Sequence, residues 1–339
     1  MSRPLHPRHG VHAPTSGTPP RAPGSVRRTS TIDMLRPDGL FGDVVLVGRA
    51  RDLWTPEHGE PSVLGEAGIV ARVAFIPDRV LTAIRTEPFA RGAEALIDVR
   101  ASSGFRAELE RALPKHRDAR SLLYLLLDDV PVATLVSGYA IGASNAPMPA
   151  APITPLRRLA PRADLCAGWR TGGTMLTSLA ENGRIPAPTG PPATSLARPG
   201  DPLAWHATPP LPPHGMRRHR RIDLIANGTL EADVFFRDSH VDADGDEAVV
   251  HEYTLRATID PDTDCIQHLD TEARVLPWLE CEAAPASAQR LVGRPITNLR
   301  PTVRAEFTGI STCTHLNDTL RSLEDVVGLA GRLRERKQE

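Results

Sequence analysis

Aromatic residues make up only 4 % of this 339-residue chain. So few rings leave little with which to stack nucleic-acid bases. Net charge is nearly absent too, with 40 lysines and arginines against 41 aspartates and glutamates. No global field therefore favours a nucleic acid or an anionic membrane as partner. Long apolar runs are missing. The longest, SLLYLLLDDVPVATLV, is interrupted by Asp128, Asp129 and Pro131 and is too short to cross a bilayer. The N-terminal stretch carries arginine, histidine and proline without the apolar segment of a secretory signal. Cysteine is limited to Cys166, Cys265, Cys281 and Cys313, all in the second half. A disulfide-stapled secreted fold would hold more, so these thiols are expected free or metal-bound in a reducing cytoplasm.

Proline is plentiful, at 33 residues, and clustered. Residues 1–25 are rich in Pro, Gly, Ser, Arg and His without periodicity and read as a disordered tail. Residues 146–215 form a second proline-rich stretch, with APMPAAPITP, IPAPTGPP and TPPLPPHG. Within it GGTMLTSLAENG predicts a short helix stopped by Gly183, and Trp169 and Trp205 predict a segment that wraps a folded surface.

The flanking regions, 26–145 and 216–331, resemble each other and leave 332–339 as a charged tail. RRTSTIDMLRPDGLFGDVVLVGRARD begins at Arg27 and RRHRRIDLIANGTLEADVFFRDSHVD at Arg217. Each reads as a basic pair, Ile-Asp, a glycine turn and a strand. Hairpins follow in IVARVAFIPDRVLTAI and YTLRATIDPDTDCI, with turns at Pro77-Asp78 and Pro261-Asp262. Helices follow at FRAELERAL and SAQRLVGRPI, then at ARSLLYLLLDD and CTHLNDTLRSLEDV. The expected fold is α+β: an internal duplication giving two related copies of a three-stranded antiparallel sheet covered by C-terminal helices.

Only the second copy carries candidate chemistry. In EADVFFRDSHV the alternation puts Ala232, Val234, Phe236, Asp238 and His240 on the core-facing side. Tyr253, Leu255, Ala257 and Ile259 face inward on the next strand, and Cys265 reads as a core hydrophobe with Leu269, Ala273 and Val275. Cys313 and His315 lie just before a helix whose stripe is Leu316, Leu320, Leu323 and Val327. Cys281 is placed similarly, before a helix that Pro285 opens. Helix beginnings favour thiolates. Cys281, Cys313, His315 and His240 (or Asp238) thus form a set that tetrahedral zinc accepts. Asp238, His240 and His315 are also the candidates for acid–base catalysis, and Cys313 for a nucleophile. The first copy has Ser121, Leu122 and Leu123 against Cys313, Thr314 and His315, and Arg49 and Arg51 against Asp238 and His240. Plainer readings stand beside these: buried cysteines as packing, Asp164, Cys166 and Trp169 as core, and Arg217, Arg218, Arg220 and Arg221 as a solvated face.

RRHRRIDLIANGTLEADVFFRDSH and LVGRPITNLRPTVRAEFTGISTCTHLNDTLRSL resemble the bacterial domain-of-unknown-function family 2889 over about residues 216 to 330. That resemblance implies a soluble bacterial protein and supplies no established activity to carry over. Three strands, a cysteine turn and a final helix opened by cysteine are also similar to the NifU-like iron–sulfur scaffold fold, which implies zinc or a cluster at Cys281 and Cys313. Three functions are therefore open. The first is a zinc-binding protein, with small-molecule enzymology if the ion keeps a free position. The second is a metal-free thiol or acid–base enzyme of small-molecule catabolism. The third is a non-enzymatic scaffold or adaptor that binds a protein partner.

Overall fold

Buried charge organises the architecture. The computed structural model describes residues 4–144 and 163–338. Its strands are β1 (Ser25–Leu35), β2 (Val44–Thr55), β3 (Ser62–Ala74), β4 (Val80–Glu87), β5 (Met216–Asn227), β6 (Thr229–Val241), β7 (Glu247–Ile259) and β8 (Ile266–Val275). They form one eight-stranded antiparallel sheet in the order β4-β3-β2-β1-β5-β6-β7-β8. This corrects the expectation of two three-stranded sheets and, with it, the NifU-like arrangement. Each half contributes four strands, and β1 pairs with β5 from Ser25↔Ile225 to Met34↔Met216 to close them into one sheet.

The two strands missing from the sequence reading are the central ones, SVRRTSTIDML and MRRHRRIDLIAN. Their arginines disguise them, because a row of cations reads as a solvated face. In the folded chain Arg27, Arg28, Arg217, Arg218, Arg220 and Arg221 are all buried. Burial of a guanidinium is costly unless a carboxylate meets it, and each one is met. On one face of the sheet Arg27 pairs with Asp223, Arg217 with Asp33, and Arg221 with Asp223 and Asp233. On the other face Arg28 binds Asp52 through two bonds of 2.8 Å, and Arg218 binds Asp238 at 2.9 and 2.8 Å. Arg220 reaches Asp129 at 2.7 Å. Such forked pairs are the strong kind.

The helices α1 (Phe105–Ala112), α2 (Pro114–Asp118), α3 (Leu122–Asp128), α4 (Val130–Val136), α5 (Tyr139–Ala143), α6 (Thr174–Asn182), α7 (Leu299–Glu306), α8 (Thr314–Ser322) and α9 (Asp325–Gln338) complete the fold. Every residue of α3 is buried, and it packs on β2 and β3. Helix α9 crosses the central strands β1 and β5, so residues expected as a charged tail continue a helix. Its Arg332 lies 3.3 Å from Asp52, and Lys337 donates to the Ala226 carbonyl at 2.8 Å. The helices exchange ion pairs between halves. Arg321 of α8 binds Asp128 of α3 at 2.9 Å, and Arg28 and Arg218 each face an acid from the opposite half, Asp325 at 3.6 Å and Asp129 at 3.8 Å. Burial alone would raise the Asp128 carboxyl, but Arg321, Arg106 and Arg300 outweigh it and hold it well below the usual carboxylate range. Among the described residues no single helix is long and apolar enough to cross a membrane.

The opposite sheet face is covered on its second half by chain segments. In the stretch expected as a disordered tail, residues 11–13 run along β8, Thr15 meets β7, and residues 17–21 bond the 195–201 segment. Thr15 donates its amide to Glu252, Ala13 bonds Arg274, and Leu276 bonds Val11. Gly10 must be glycine, since a Cβ there would stand 2.7 Å from the Trp278 carbonyl oxygen. Trp205 packs on His219 and Phe235 and donates to Thr18. The stretch APMPAAPITP lies outside the described residues. His206 sits between the hydroxyls of Thr29 and Thr31 at 2.8 Å each.

Two outcomes follow from this buried polar layer. Asp52→Asn leaves Arg28 without its carboxylate and is expected to cost about 3–5 kcal/mol in urea unfolding. The pair Arg28→Met with Asp52→Leu recovers most of that loss. Burial, then the charges of Arg51 and Arg49, lower the His206 pKa to about 3 from an ordinary 6.5. A depressed histidine contributes stability that is complete above its unfolded pKa and lost as pH falls toward the folded value. His206→Gln is therefore expected to flatten the decline in unfolding free energy between about pH 6.5 and 3 by up to ~1.4 kcal/mol per pH unit, read from urea midpoints across that range.

Candidate functional site

Helix α8 opens at Thr314 with Cys313 as its N-cap, so the thiol and His315 do sit at a helix beginning. The helix then buries Leu316 and Leu320 against the sheet. It ends at Ser322, short of the continuous stripe expected through Val327, and a new helix starts at Asp325. This docking brings His315 onto the inner ends of β6 and β7. His315 Nε2 lies 3.5 Å from Asp238 Oδ2, and its Nδ1 lies 3.9 Å from Cys313 Sγ. Thr314 Oγ1 is also 3.4 Å from that Nδ1.

A residue that the sequence reading missed completes the group. His251 of β7 stands opposite Asp238 in the sheet register, and its ring stacks on His315 with centroids 3.5 Å apart. The ligand atoms of His251, Cys313 and His315 all lie within 4.8 Å of one another. The signal for His251 was present, because it extends the inward alternation of Tyr253, Leu255, Ala257 and Ile259 by one step. The Tyr253 ring is fully buried beside Cys313.

Two expected ligands stand outside this group, His240 at a distance and Cys281 as a neighbour of Cys313 that does not join the convergent ligand atoms. His240 packs edge-on against Tyr139 of α5, with ring centroids 5.2 Å apart, and near His214. His240 keeps the sheet face of Asp238, opposite Met216 of β5, but lies two residues farther along β6, where the first half's α5 covers it; the bulge here adds Val250 to β7. Cys281 lies within a run of 3-10 turns, Leu279–Leu291, with Pro285 inside that run instead of opening an α-helix. Its sulfur packs over Gly168 in the apolar core, where a Cβ would come within 3.2 Å of it. Cys265, expected in the core, is half-buried at the foot of β8. The first-half counterparts also shift. By register and ion pairing, Asp52 stands where the second half has Asp238, and Gly65 where it has His251.

The protonation states suit a neutral-ligand site. Burial, then the nearby Arg218 charge, lower His315 to about 3. Burial and the His315 neighbour take His251 well below its ordinary range. Burial, with Cys166 adding to it, pushes the Cys313 thiol up to about 12, and Cys281 and Cys166 are raised by burial as well. Both imidazoles are therefore neutral at neutral pH, and without a cation the thiols stay protonated. A cleft of about 480 Å³ on the other face is lined by Thr15, Arg221, Asp233, Arg256, Glu272 and Arg274, none of them part of this cluster.

Residues 216–328, which contain the whole cluster, match a family described as a protein of unknown function (DUF2889). No curated protein matches the chain, and no solved structure does.

The thiol environments set an order of reactivity. A thiol reagent at neutral pH is expected to label Cys265 first in the native protein, and Cys166, Cys281 and Cys313 only as the chain unfolds. Mass mapping of early adducts reads the order directly, and early labelling of Cys313 would contradict the described burial.

Proposed function

We propose that this is a metal-binding protein in which His251, Cys313 and His315 hold one divalent ion of the zinc type. The observation that supports it is the convergence of three ligand atoms from β7 and α8 within 4.8 Å. Tetrahedral zinc would draw such atoms in to roughly 3.3–3.7 Å of one another, a modest contraction. The fit has an independent mark: His251 Nδ1 is buried and has no hydrogen-bond partner. An orphaned buried nitrogen is costly without a ligand.

Comparison of the halves supports a cation here. Asp52 has two cationic neighbours, Arg28 at 2.8 Å and Arg332 at 3.3 Å. Arg332 also lies over Gly65, the position of His251 in the other half. Asp238 has Arg218 and, in the place of the second guanidinium, the neutral His315. An ion on the imidazoles supplies the charge that Arg332 supplies to Asp52. The exchange of Arg27–Asp223 for Arg217–Asp33 under the same swap favours an internal duplication with one copy specialised.

Three protein ligands are the number that catalytic zinc sites use, with the fourth place left to water or substrate. Bound there, the ion would supply Lewis acidity, which keeps a small-molecule enzyme as the fuller form of this proposal. A thiol enzyme fits less well. The Cys313–His315–Asp238 line resembles a nucleophile with its base, but a thiol raised to about 12 is the reverse of an activated one.

Elemental analysis of protein purified without chelator is expected to show about one equivalent of metal per chain, falling below about a fifth in Cys313→Ser. Replacement by cobalt should give a thiolate-to-metal charge-transfer band that the same variant lacks. Substoichiometric metal that ignores both Cys313→Ser and His251→Ala would overturn the proposal.

A further inference from the structure

We infer that Asp238 is a positioning residue: it fixes the His315 tautomer so that Nδ1 faces Cys313, and Arg218 ties it to the first half of the chain. An ionised carboxylate can only accept hydrogen bonds. Asp238 Oδ2 faces His315 Nε2 at 3.5 Å, so that nitrogen carries the ring proton. The other nitrogen faces two groups able to donate, the Cys313 thiol at 3.9 Å and the Thr314 hydroxyl at 3.4 Å. Its lone pair is thereby aimed at the cluster. This is the carboxylate–histidine arrangement that orients a ring nitrogen toward a ligand.

Asp238 is itself clamped. Arg218 holds both of its oxygens, and the carboxylate is fully buried. The same guanidinium reaches Asp318, one turn beyond His315 on α8, at 3.2 Å. It also lies 3.8 Å from Asp129, at the junction of α3 and α4 in the first half. Asp129 in turn is bound by Arg220 from the strand that carries Arg218. Helix α8 is thus fastened to the sheet at two points three residues apart, His315 on Asp238 and Asp318 on Arg218. The first half, which lacks the histidines and cysteine, closes the network from the other side through Asp129.

The inference rests on the proposed metal site only for its affinity consequence, and two readouts separate them. In the metal-free wild-type protein, NMR of the imidazole nitrogens is expected to place the His315 proton on Nε2, and a proton on Nδ1 overturns the inference without any variant. In Asp238→Asn, zinc affinity measured by competition with a chromophoric chelator is expected to fall about 10–100-fold while the ion still binds. A change smaller than about twofold in folded Asp238→Asn also overturns it. If the wild type takes up no zinc, the proposed function fails, and the tautomer still decides the role of Asp238.

Discussion

An arginine buried inside a β-sheet is stable only where a carboxylate meets it, and the centre of this fold consists of such meetings. Strands β1 and β5 place buried arginines in the middle of the sheet, alternating between its two faces, and acids arrive from the neighbouring strands, from α8 and α9, and from the α3–α4 junction. Each guanidinium would be costly alone. Together they make any slip of register severe, because moving β5 by one residue along β1 would put every β5 arginine on the face that lacks its acid. Apolar packing supplies two cores, one under each half, and the ionic layer between them joins the halves into one sheet.

The candidate site stands on the edge of that layer. Asp238 belongs both to the ladder, through Arg218, and to the cluster, through His315. The imidazoles and the thiol are therefore held by a framework already determined by charge pairing, on strand ends and a helix start. The first half shows the same framework without the cluster: Asp52 and Arg28 remain, Gly65 replaces the β7 histidine, and Arg332 fills the space. The second half carries on that framework the three side chains, His251, Cys313 and His315, proposed to hold a metal.

Local chemistry was readable from the sequence where its cause is local. The Pro77-Asp78 and Pro261-Asp262 turns do join β3 to β4 and β7 to β8, because turn geometry is decided within a few residues. Cys313 does cap a helix for the same reason. The central strands were not readable, since RRTST and RRHRR look solvated until the acids that neutralise them, up to about two hundred positions away for Arg27 and Asp223, are in place. Alternation put His240 on the face of Asp238 but could not tell that, two residues farther along β6, it meets Tyr139 of the first half, and His251 was passed over although alternation pointed to it. Cys281 was misplaced because Pro285 lies inside a run of 3-10 turns instead of starting a helix.

The central claim is that charge pairing across β1 and β5 makes the two halves one cooperative body, and native-state hydrogen exchange tests it most directly. The amides of β1 and β5 should exchange only through global unfolding, with a single opening free energy shared by β2 and β6 on either side. Separate opening energies for the two halves, or faster exchange at β1 and β5 than at β2 and β6, would contradict it.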